Sequence, residues 1–434
     1  MDTRSQVQAL FSSPRRPFAV RLWDGSWIPP LPSSPETPTL VLRDERVAPA
    51  FGLRPSEERL AEAFLSGDME VEGDLVRFLE LAATWPGPEG LHLTAVVTAI
   101  LAEIGGRATA LLHAAGRHTL GRDDAAVRHH YDVGNDFYRL FLDEAMVYSC
   151  AYWAPGVDGL EAAQVAKLEL VCRKLGLTAG ERLLDIGCGW GALVLHAARR
   201  HGVHATGITL SPAQREIADD RVRHELADRE AVDIRLADYR RLPQAEHWDK
   251  LASVGMMEHV GRRKLGHYFS VLHDRLVPGG LLLNHAIAES GDGRRTIPWL
   301  HRTHGGFIKQ EIFPDSDLPP LKLVVDAAQH AGFEVLDVEA LRPHYARTLL
   351  EWLGRLDRRF PEAVQLVGKR RARAWRLYLA SSAVSFRIGR ITVYQLLLQR
   401  REDGVLPRVL DRRRWYEGLD RLLSETGPSP RKTA

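Results

Sequence analysis

The chain has 434 residues, 45% hydrophobic and 26% charged, the composition of a packed globular protein long enough for two domains. Its 58 Lys and Arg against 56 Asp and Glu give a net charge of +2, which excludes a global pull towards nucleic acid and leaves any basic surface local. Three scattered cysteines, Cys150, Cys172 and Cys188, suggest neither a disulfide framework nor a metal site, and fit a reducing cytoplasm.

The first twenty residues lack the apolar stretch of a signal peptide, and no run reaches the roughly 20 apolar residues that span a bilayer. The nearest, Leu91–Ile104, carries His92 and Glu103, so any membrane encounter is expected from one side. In residues 17–85, PFAVRLWDGSW and TLVLRDERVA read as strands joined by the turn-rich PPLPSSPETP. SEERLAEAFLSGDMEVEG and DLVRFLELAATW read as helices. Residues 90–125 continue as helix and turn basic at Arg107, Arg117 and Arg122. This places a domain boundary near residue 115, with an N-terminal domain at 1–115 and a second at 116–434. From residue 160 the pattern becomes regular. ERLLDIG (181–187), HATGITL (204–210), VDIRLAD (232–238), WDKLASVG (248–255) and GLLLNHAIA (280–288) are expected strands. ALVLHAARR is a helix, as is SPAQREIADDRVRHEL with Ser211 as N-cap and Pro212 in its first turn. Such alternation predicts an α/β fold with a parallel, doubly wound sheet. Residues 289–320, rich in Gly, Pro, Asp and His, read as a long inserted loop of the kind that forms lids. The remainder, 344–425, is mostly helical with a strand at Ile391–Leu398.

Asp185, Gly187, Cys188, Gly189, Trp190 and Gly191 lie in a D-x-G-x-G-x-G turn between a strand and a helix. Glycines there let backbone approach a ligand, and the helix N-terminus offers amide N–H groups. A plain glycine-rich turn or a dinucleotide site are the competing readings. The spacing differs from G-x-G-x-x-G, and the second strand ends in Thr209, not in the carboxylate that would meet a dinucleotide ribose. Asp238 and Tyr239 follow the third strand, placed to frame an adenine. Together these favour S-adenosylmethionine.

Further motifs narrow the reading. HHYDVGNDFY (129–138), MVYSCAYW (146–153), LDIGCGWG (184–191), GITLSPAQ (207–214), SVGMMEHVG (253–261), NHAIA (284–288), FIKQEIFP (307–314), HYARTL (344–349) and WRLYLASSAVSFRIG (375–389) occur in this order. The series, over about residues 120–400, resembles the cyclopropane fatty acid synthase family, which includes the mycolic acid cyclopropane synthases. FAVRLWDG and GDMEVEGDLVRFL look like the N-terminal lipid-contacting domain of its phospholipid-acting members, which the mycolic acid enzymes lack. The resemblance implies a class I S-adenosylmethionine-dependent methyltransferase, Rossmann-like with a mostly parallel seven-stranded sheet, preceded by a smaller α+β lipid-binding domain. It implies that Tyr148, Ser149, the glycine turn, Thr209, Leu210, Gln214, Asp238 and Tyr239 line the donor site. It also implies a bicarbonate ion held by Cys150, Glu258, His285, Ile287 and Tyr345, and no metal. Where family members often carry a cysteine in the C-terminal helix, this chain has Ser382, so no thiol acts there.

The chemistry so implied is methyl transfer to a cis double bond of an unsaturated phospholipid, followed by loss of a proton to bicarbonate and ring closure. His285 and Tyr345 are expected to donate to the anion, Glu258 to accept its hydroxyl proton, and the backbone N–H of Cys150 or Ile287 to complete the set. Tyr131, Phe137, Tyr138, Tyr148, Tyr152 and Trp153 are expected to form an aromatic wall around cationic charge. Each also has a plainer reading: Glu258-His259 as a helix N-terminal pair, His285 as a core histidine, Tyr345 as packing, Cys150 as a small buried residue. The family further implies a homodimer in the cytoplasm, peripheral to the inner membrane face. Arg117, Arg122 and the Lys369-Arg370-Arg371-Arg373 cluster are candidates for headgroup contact, a solvated helix face being the better reading of the last. The alternatives are an acyl methyltransferase giving methylene- or methyl-branched chains, a small-molecule N-methyltransferase, and a non-catalytic lipid-binding protein.

Overall fold

A computed structural model of the protein describes residues 3–12, 16–31, 37–51, 57–85, 134–290, 318–402 and 411–422. The helix expected at 91–104, Arg107, Arg117, Arg122, His129 to Tyr131 and most of the inserted loop lie outside these. The chain divides into two compact units. One comprises residues up to Arg117 and also Trp352–Arg390; the other comprises His118–Gly291, Asp317–Glu351 and Ile391 onwards.

In the first unit, β1 (Ala19–Arg21), β2 (Trp27–Ile28), β3 (Thr39–Leu42) and β4 (Met69–Glu72) form a four-stranded sheet in the order β2-β1-β3-β4. The expected helix over 56–73 is corrected here. It ends at Ser66, Gly67 turns the chain with φ 89°, and Met69–Glu72 pairs antiparallel with Thr39–Leu42. The β-branched Val71 between two glutamates suits a pleated surface with one buried face. Phe18 packs edge-on against Phe78 and Trp85, with centroids 5.2 and 5.3 Å away.

Residues 352–390, assigned from sequence to the second domain, belong to this unit, and the cause is visible at Arg373. Its guanidinium is buried and donates to Phe64 O at 2.7 Å, Glu70 Oε2 at 2.6 Å and Met69 O at 3.2 Å. Arg370 makes a bidentate pair with Glu62, at 2.7 Å for each bond. Two members of the basic cluster are therefore tied within the unit, Arg373 buried and Arg370 at the surface.

The second unit holds β5 (Arg182–Ile186), β6 (His204–Thr209), β7 (Val232–Leu236), β8 (Trp248–Val254), β9 (Leu276–Glu289), β10 (Phe333–Ala340) and β11 (Ile391–Arg400). They form one seven-stranded sheet in the order β10-β11-β9-β8-β5-β6-β7. Neighbours from β7 to β9 run parallel, and β11 lies antiparallel to both β9 and β10. This is the expected α/β fold. β5, β6 and the middle of β9 are buried on both faces, polar Asp185, Thr206, Asn284 and His285 included. β10 is absent from the sequence expectation: FEVLDVEA sits at the sheet edge, mostly half-exposed, and its acidic residues blunt the strand signal. Strand order reverses at β5 and β8, so their carboxyl ends open a crevice suited to a ligand. Among the described residues no helix is long and apolar enough to cross a membrane.

Candidate active site

The turn after β5 is shaped by Gly187, Gly189 and Gly191, with φ of 82°, 55° and 83°. These left-handed positions disfavour side chains and bring the backbone round into the helix Ala192–His201. Gly187 and Cys188 donate their N–H groups to Ile208 O at 3.0 and 2.9 Å, which ties the turn to β6. Across that tie lies Gly207, where a Cβ would stand 2.9 Å from Cys188 Sγ. The cavity over this turn is lined by the expected Tyr148, Ser149, Asp185, Gly187, Cys188, Gly189, Trp190, Thr209, Leu210, Gln214, Asp238 and Tyr239. Gly191 is the exception; its part is packing, since a Cβ there would meet Ala218 Cβ at 3.1 Å.

Polar groups in the cavity are aligned by neighbours. Thr209 Oγ1 donates to Gln214 Oε1 at 2.8 Å, and the buried Gln214 Nε2 has no protein partner among the described residues. Asp238 does not present a free carboxylate. It caps the turn at Arg240 N and takes the Arg240 guanidinium, whose carbon lies 5.5 Å from the Tyr239 ring centre. Asp185 is fully buried with Oδ1 unpartnered; burial pushes its carboxyl up to about 7, against the opposing charge of Lys167. A buried carboxylate oxygen and a buried amide N–H, both belonging to cavity-lining residues, fit the amino acid and nucleoside ends of S-adenosylmethionine.

Sequence reasoning missed the helix Leu160–Leu175, which supplies part of the cavity wall with Lys167, Leu168 and Val171. Gln164 Nε2 donates to Ser149 O at 2.9 Å, and Lys167 Nζ to Ser149 Oγ at 3.0 Å. The i, i+3 spacing of two polar residues inside an otherwise buried helix face was the available signal. His259 also lines the cavity, in a 3₁₀ turn over Met257–His259.

Of the residues expected around the anion, Glu258 and Ile287 meet through a hydrogen bond, with His285 two residues before Ile287 on β9, and none of the five is among the residues that line the donor cavity. Glu258 Oε1 accepts the Ile287 N–H at 2.8 Å, while its Oε2 is buried without a protein partner among the described residues. The Ile287 amide, one of two candidate donors to the anion, is thus already engaged by Glu258. Burial pushes Glu258 up to about 7, the Ile287 bond opposing. Two residues back on β9, His285 is buried and brought down to about 3, by burial first and then by Lys167 and Lys174, so it is neutral near pH 7. Gln395 Nε2 lies 3.2 Å from His285 Nδ1. With the amide so oriented it donates to Nδ1, which leaves the proton on Nε2, also buried and without a protein partner. Gln395 is a second residue the sequence reading did not find. Cys150 and Tyr345 are joined to this group through Leu341. Leu341 O accepts the Tyr345 N–H at 3.1 Å and lies 3.9 Å from Cys150 Sγ, and Leu341 N donates to Val393 O. Val393 in turn pairs with Ile287. Burial drives the Cys150 thiol well above its ordinary range, so it is not a nucleophile. A buried carboxyl oxygen and a buried imidazole N–H, each without a protein partner among the described residues, fit an anion that also donates, as bicarbonate does.

The aromatic wall is corrected. Phe137 and Tyr138 are fully buried core, and Tyr138 backs Tyr148 and Trp190 at 5.3 and 5.1 Å. Tyr152 stacks on His344 at 4.6 Å, and Trp153 is held by Thr348 and covered by the Arg347 guanidinium. Among the described residues, Tyr148, Trp190 and Tyr239 are aromatic side chains that line the cavity. Ser382 is buried in the helix Phe360–Arg387 of the other unit.

A separate polar cluster joins the helices 160–175 and 192–201. Glu169 Oε2 receives His196 at 2.9 Å and His201 at 3.2 Å, and its Oε1 takes Arg173 at 2.7 Å. Cys172 lies within 4.8 Å of both imidazoles. Proximity in the fold, not sequence spacing, gathers these groups, and their hydrogen bonds are satisfied within the cluster.

The family described as mycolic acid cyclopropane synthetase matches residues 118–396. A probable fatty acid methyltransferase of Pseudomonas putida is 38% identical over 91% of this chain and 94% of its own length. The cyclopropane-fatty-acyl-phospholipid synthase of Escherichia coli strain K12 is 36% identical over 63% of this chain and 67% of its own. A solved mycolic acid cyclopropane synthase, CmaA1, complexed with SAH and CTAB, superposes with a TM-score of 0.59 at 35% identity, covering 64% of this chain and 98% of that one.

Proposed function

Since the chain belongs to the mycolic acid cyclopropane synthetase family and is an S-adenosylmethionine-dependent methyltransferase of that type, we propose that it methylates the cis double bond of an unsaturated phospholipid acyl chain and closes a cyclopropane ring. The single observation that carries the ring-closing step is that Glu258 Oε2 and His285 Nε2 are each buried and, among the described residues, without a protein partner. The lipid class rests on the N-terminal unit. The family match begins at residue 118, whereas the fatty acid methyltransferase of P. putida aligns over 91% of the chain.

When bound, S-adenosylmethionine supplies a methyl group made electrophilic by its sulfonium. The residues do the rest. Asp185 and Gln214 hold the donor's polar ends, and the rings of Tyr148, Trp190 and Tyr239 exclude water and face cationic charge. Bicarbonate, when bound, supplies a base small enough to sit beside the new methyl without trapping the acyl chain covalently. His285 Nε2–H and the Tyr345 hydroxyl orient it, and the Cys150 amide is the backbone donor left once Glu258 engages Ile287. Glu258, pushed up to about 7, accepts a proton at Oε2 and can release it again near neutral pH.

Purified enzyme, unsaturated phospholipid vesicles and methyl-labelled donor test this by mass spectrometry of the released fatty acids. One added methylene with no remaining alkene supports the proposal. The same mass with an alkene retained replaces it with the branched-chain reading, which the relative described as a fatty acid methyltransferase favours. Removal of bicarbonate from the buffer is expected to slow turnover, and its return to restore it.

A further inference from the structure

Beneath the donor cavity lies an ammonium that the chemistry above does not use. Lys167 is 2% exposed, in the middle of the helix Leu160–Leu175, and lines the cavity. A cation buried there is unexpected, because the donor is itself a sulfonium. Its surroundings account for it. Nζ donates to Ser149 Oγ at 3.0 Å; burial brings the ammonium down to about 8, and the charges of Asp143 and Asp185 oppose that shift. One ammonium against two carboxylates leaves the donor's sulfonium with net attraction.

The segment it touches needs holding. Met146 sits at φ 54°, a left-handed conformation that is strained for a side chain of its size. Asp143 caps the turn before it, accepting Val147 N at 2.8 Å and Ala145 N at 3.1 Å, and Gln164 ties Ser149 O. Tyr148 and Ser149, expected at the donor, follow directly.

We infer that Lys167 is a positioning residue for the donor site: its ammonium clamps Ser149 against the helix and offsets the buried carboxylate of Asp185, so that segment and carboxylate meet the donor in fixed form. Four groups besides Asp185 face Lys167. They are Asp143 on the preceding turn, the thiols of Cys150 and Cys172, and His285 on β9. Both thiols are lifted by burial and His285 is neutral, so among these only the two carboxylates and the ammonium change charge near pH 7. Cys172 and Cys188 face Asp185 and stay protonated likewise.

The inference rests on the donor site and not on the lipid substrate, so it is read with S-adenosylhomocysteine and no lipid. Calorimetric titration across pH 5.5–9 gives affinity and its midpoint. For Lys167→Met we expect affinity about ten- to a hundredfold weaker, the range of a lost charge-assisted bond. Its midpoint is expected to move up by about one pH unit, because Asp185 loses its counter-charge. Lys167→Arg restores the midpoint and part of the affinity. Ser149→Ala weakens binding without moving the midpoint. A Lys167→Met protein that binds within about twofold of the parent, with the same midpoint, overturns the inference. Should that variant lose its thermal transition, the other two decide: an unmoved affinity in Ser149→Ala together with a displaced midpoint in Lys167→Arg overturns it equally.

Discussion

Asp185 and Glu258 stand at the ends of neighbouring parallel strands, both buried, both pushed up to about 7 by the loss of water. Their companions differ. Asp185 shares its surroundings with the ammonium of Lys167, and a bound donor adds its own positive charge. Glu258 is opposed only by backbone hydrogen bonds, from Ile287 and from its own amide, with no counter-charge. Both carboxyls can exchange a proton near pH 7, but a bound cationic donor would hold Asp185 as its anion while no charged group does so for Glu258, and that difference lies in the counter-charge rather than in burial.

The sharpest way to break that contrast is Glu258→Gln, which keeps the shape and removes the proton acceptor. Turnover is expected to fall by roughly 10² to 10⁴, the usual range for a lost general base. Affinity for S-adenosylhomocysteine stays within about twofold; parallel losses of both would erase the division of roles. Asp185→Asn is the mirror experiment. Donor affinity falls about ten- to a hundredfold, and turnover at saturating donor changes only a few-fold. Steady-state kinetics against donor concentration separates the two.

Stability against pH probes the same carboxylate without any substrate. The folded pKa of Glu258 lies near 7, above its unfolded value, so the folded state keeps a proton that the unfolded chain has lost. That contribution is full below the unfolded pKa and is lost as pH rises through about 7. Glu258→Gln is therefore expected to gain on the order of 2 kcal/mol over the parent at pH 8 and nothing at pH 4, by urea denaturation. A smaller effect is expected from Gln395→Leu. Losing the bond that fixes the His285 tautomer costs about fivefold in turnover, with donor affinity unchanged, as one hydrogen bond is worth about 1 kcal/mol. Smallest is Cys150→Ala, expected within about threefold of the parent because a thiol so firmly protonated contributes bulk and not chemistry.

The donor half was largely legible in the sequence because it is written in contiguous stretches. Residues 185–191, 209–214 and 238–239 each sit at a strand end, where period and glycine spacing fix the backbone. Lys167 and Gln395 were not legible. Their roles come from pairings across 18 and 110 positions, which no local pattern encodes. β4 was hidden in what reads as the tail of a helix, and β10 behind its acidic edge. The aromatic segment shows the converse error. Ring types at 131–153 pointed to a wall, but a buried aromatic serves core packing as well as it serves a cation, and composition does not distinguish the two.

Gly207 on β6 is not among the residues that line the cavity, yet a single methyl there would press on Cys188 Sγ at 2.9 Å and on Ile234 Cδ1 at 3.1 Å. The strand cannot yield without breaking its parallel ladders to β5 and β7. The displacement would pass instead to the Cys188 turn, whose amide leans on the next strand residue. A substitution outside the cavity would therefore be felt as weakened donor capture, and a mutational library confined to cavity-lining positions would leave this lever untouched.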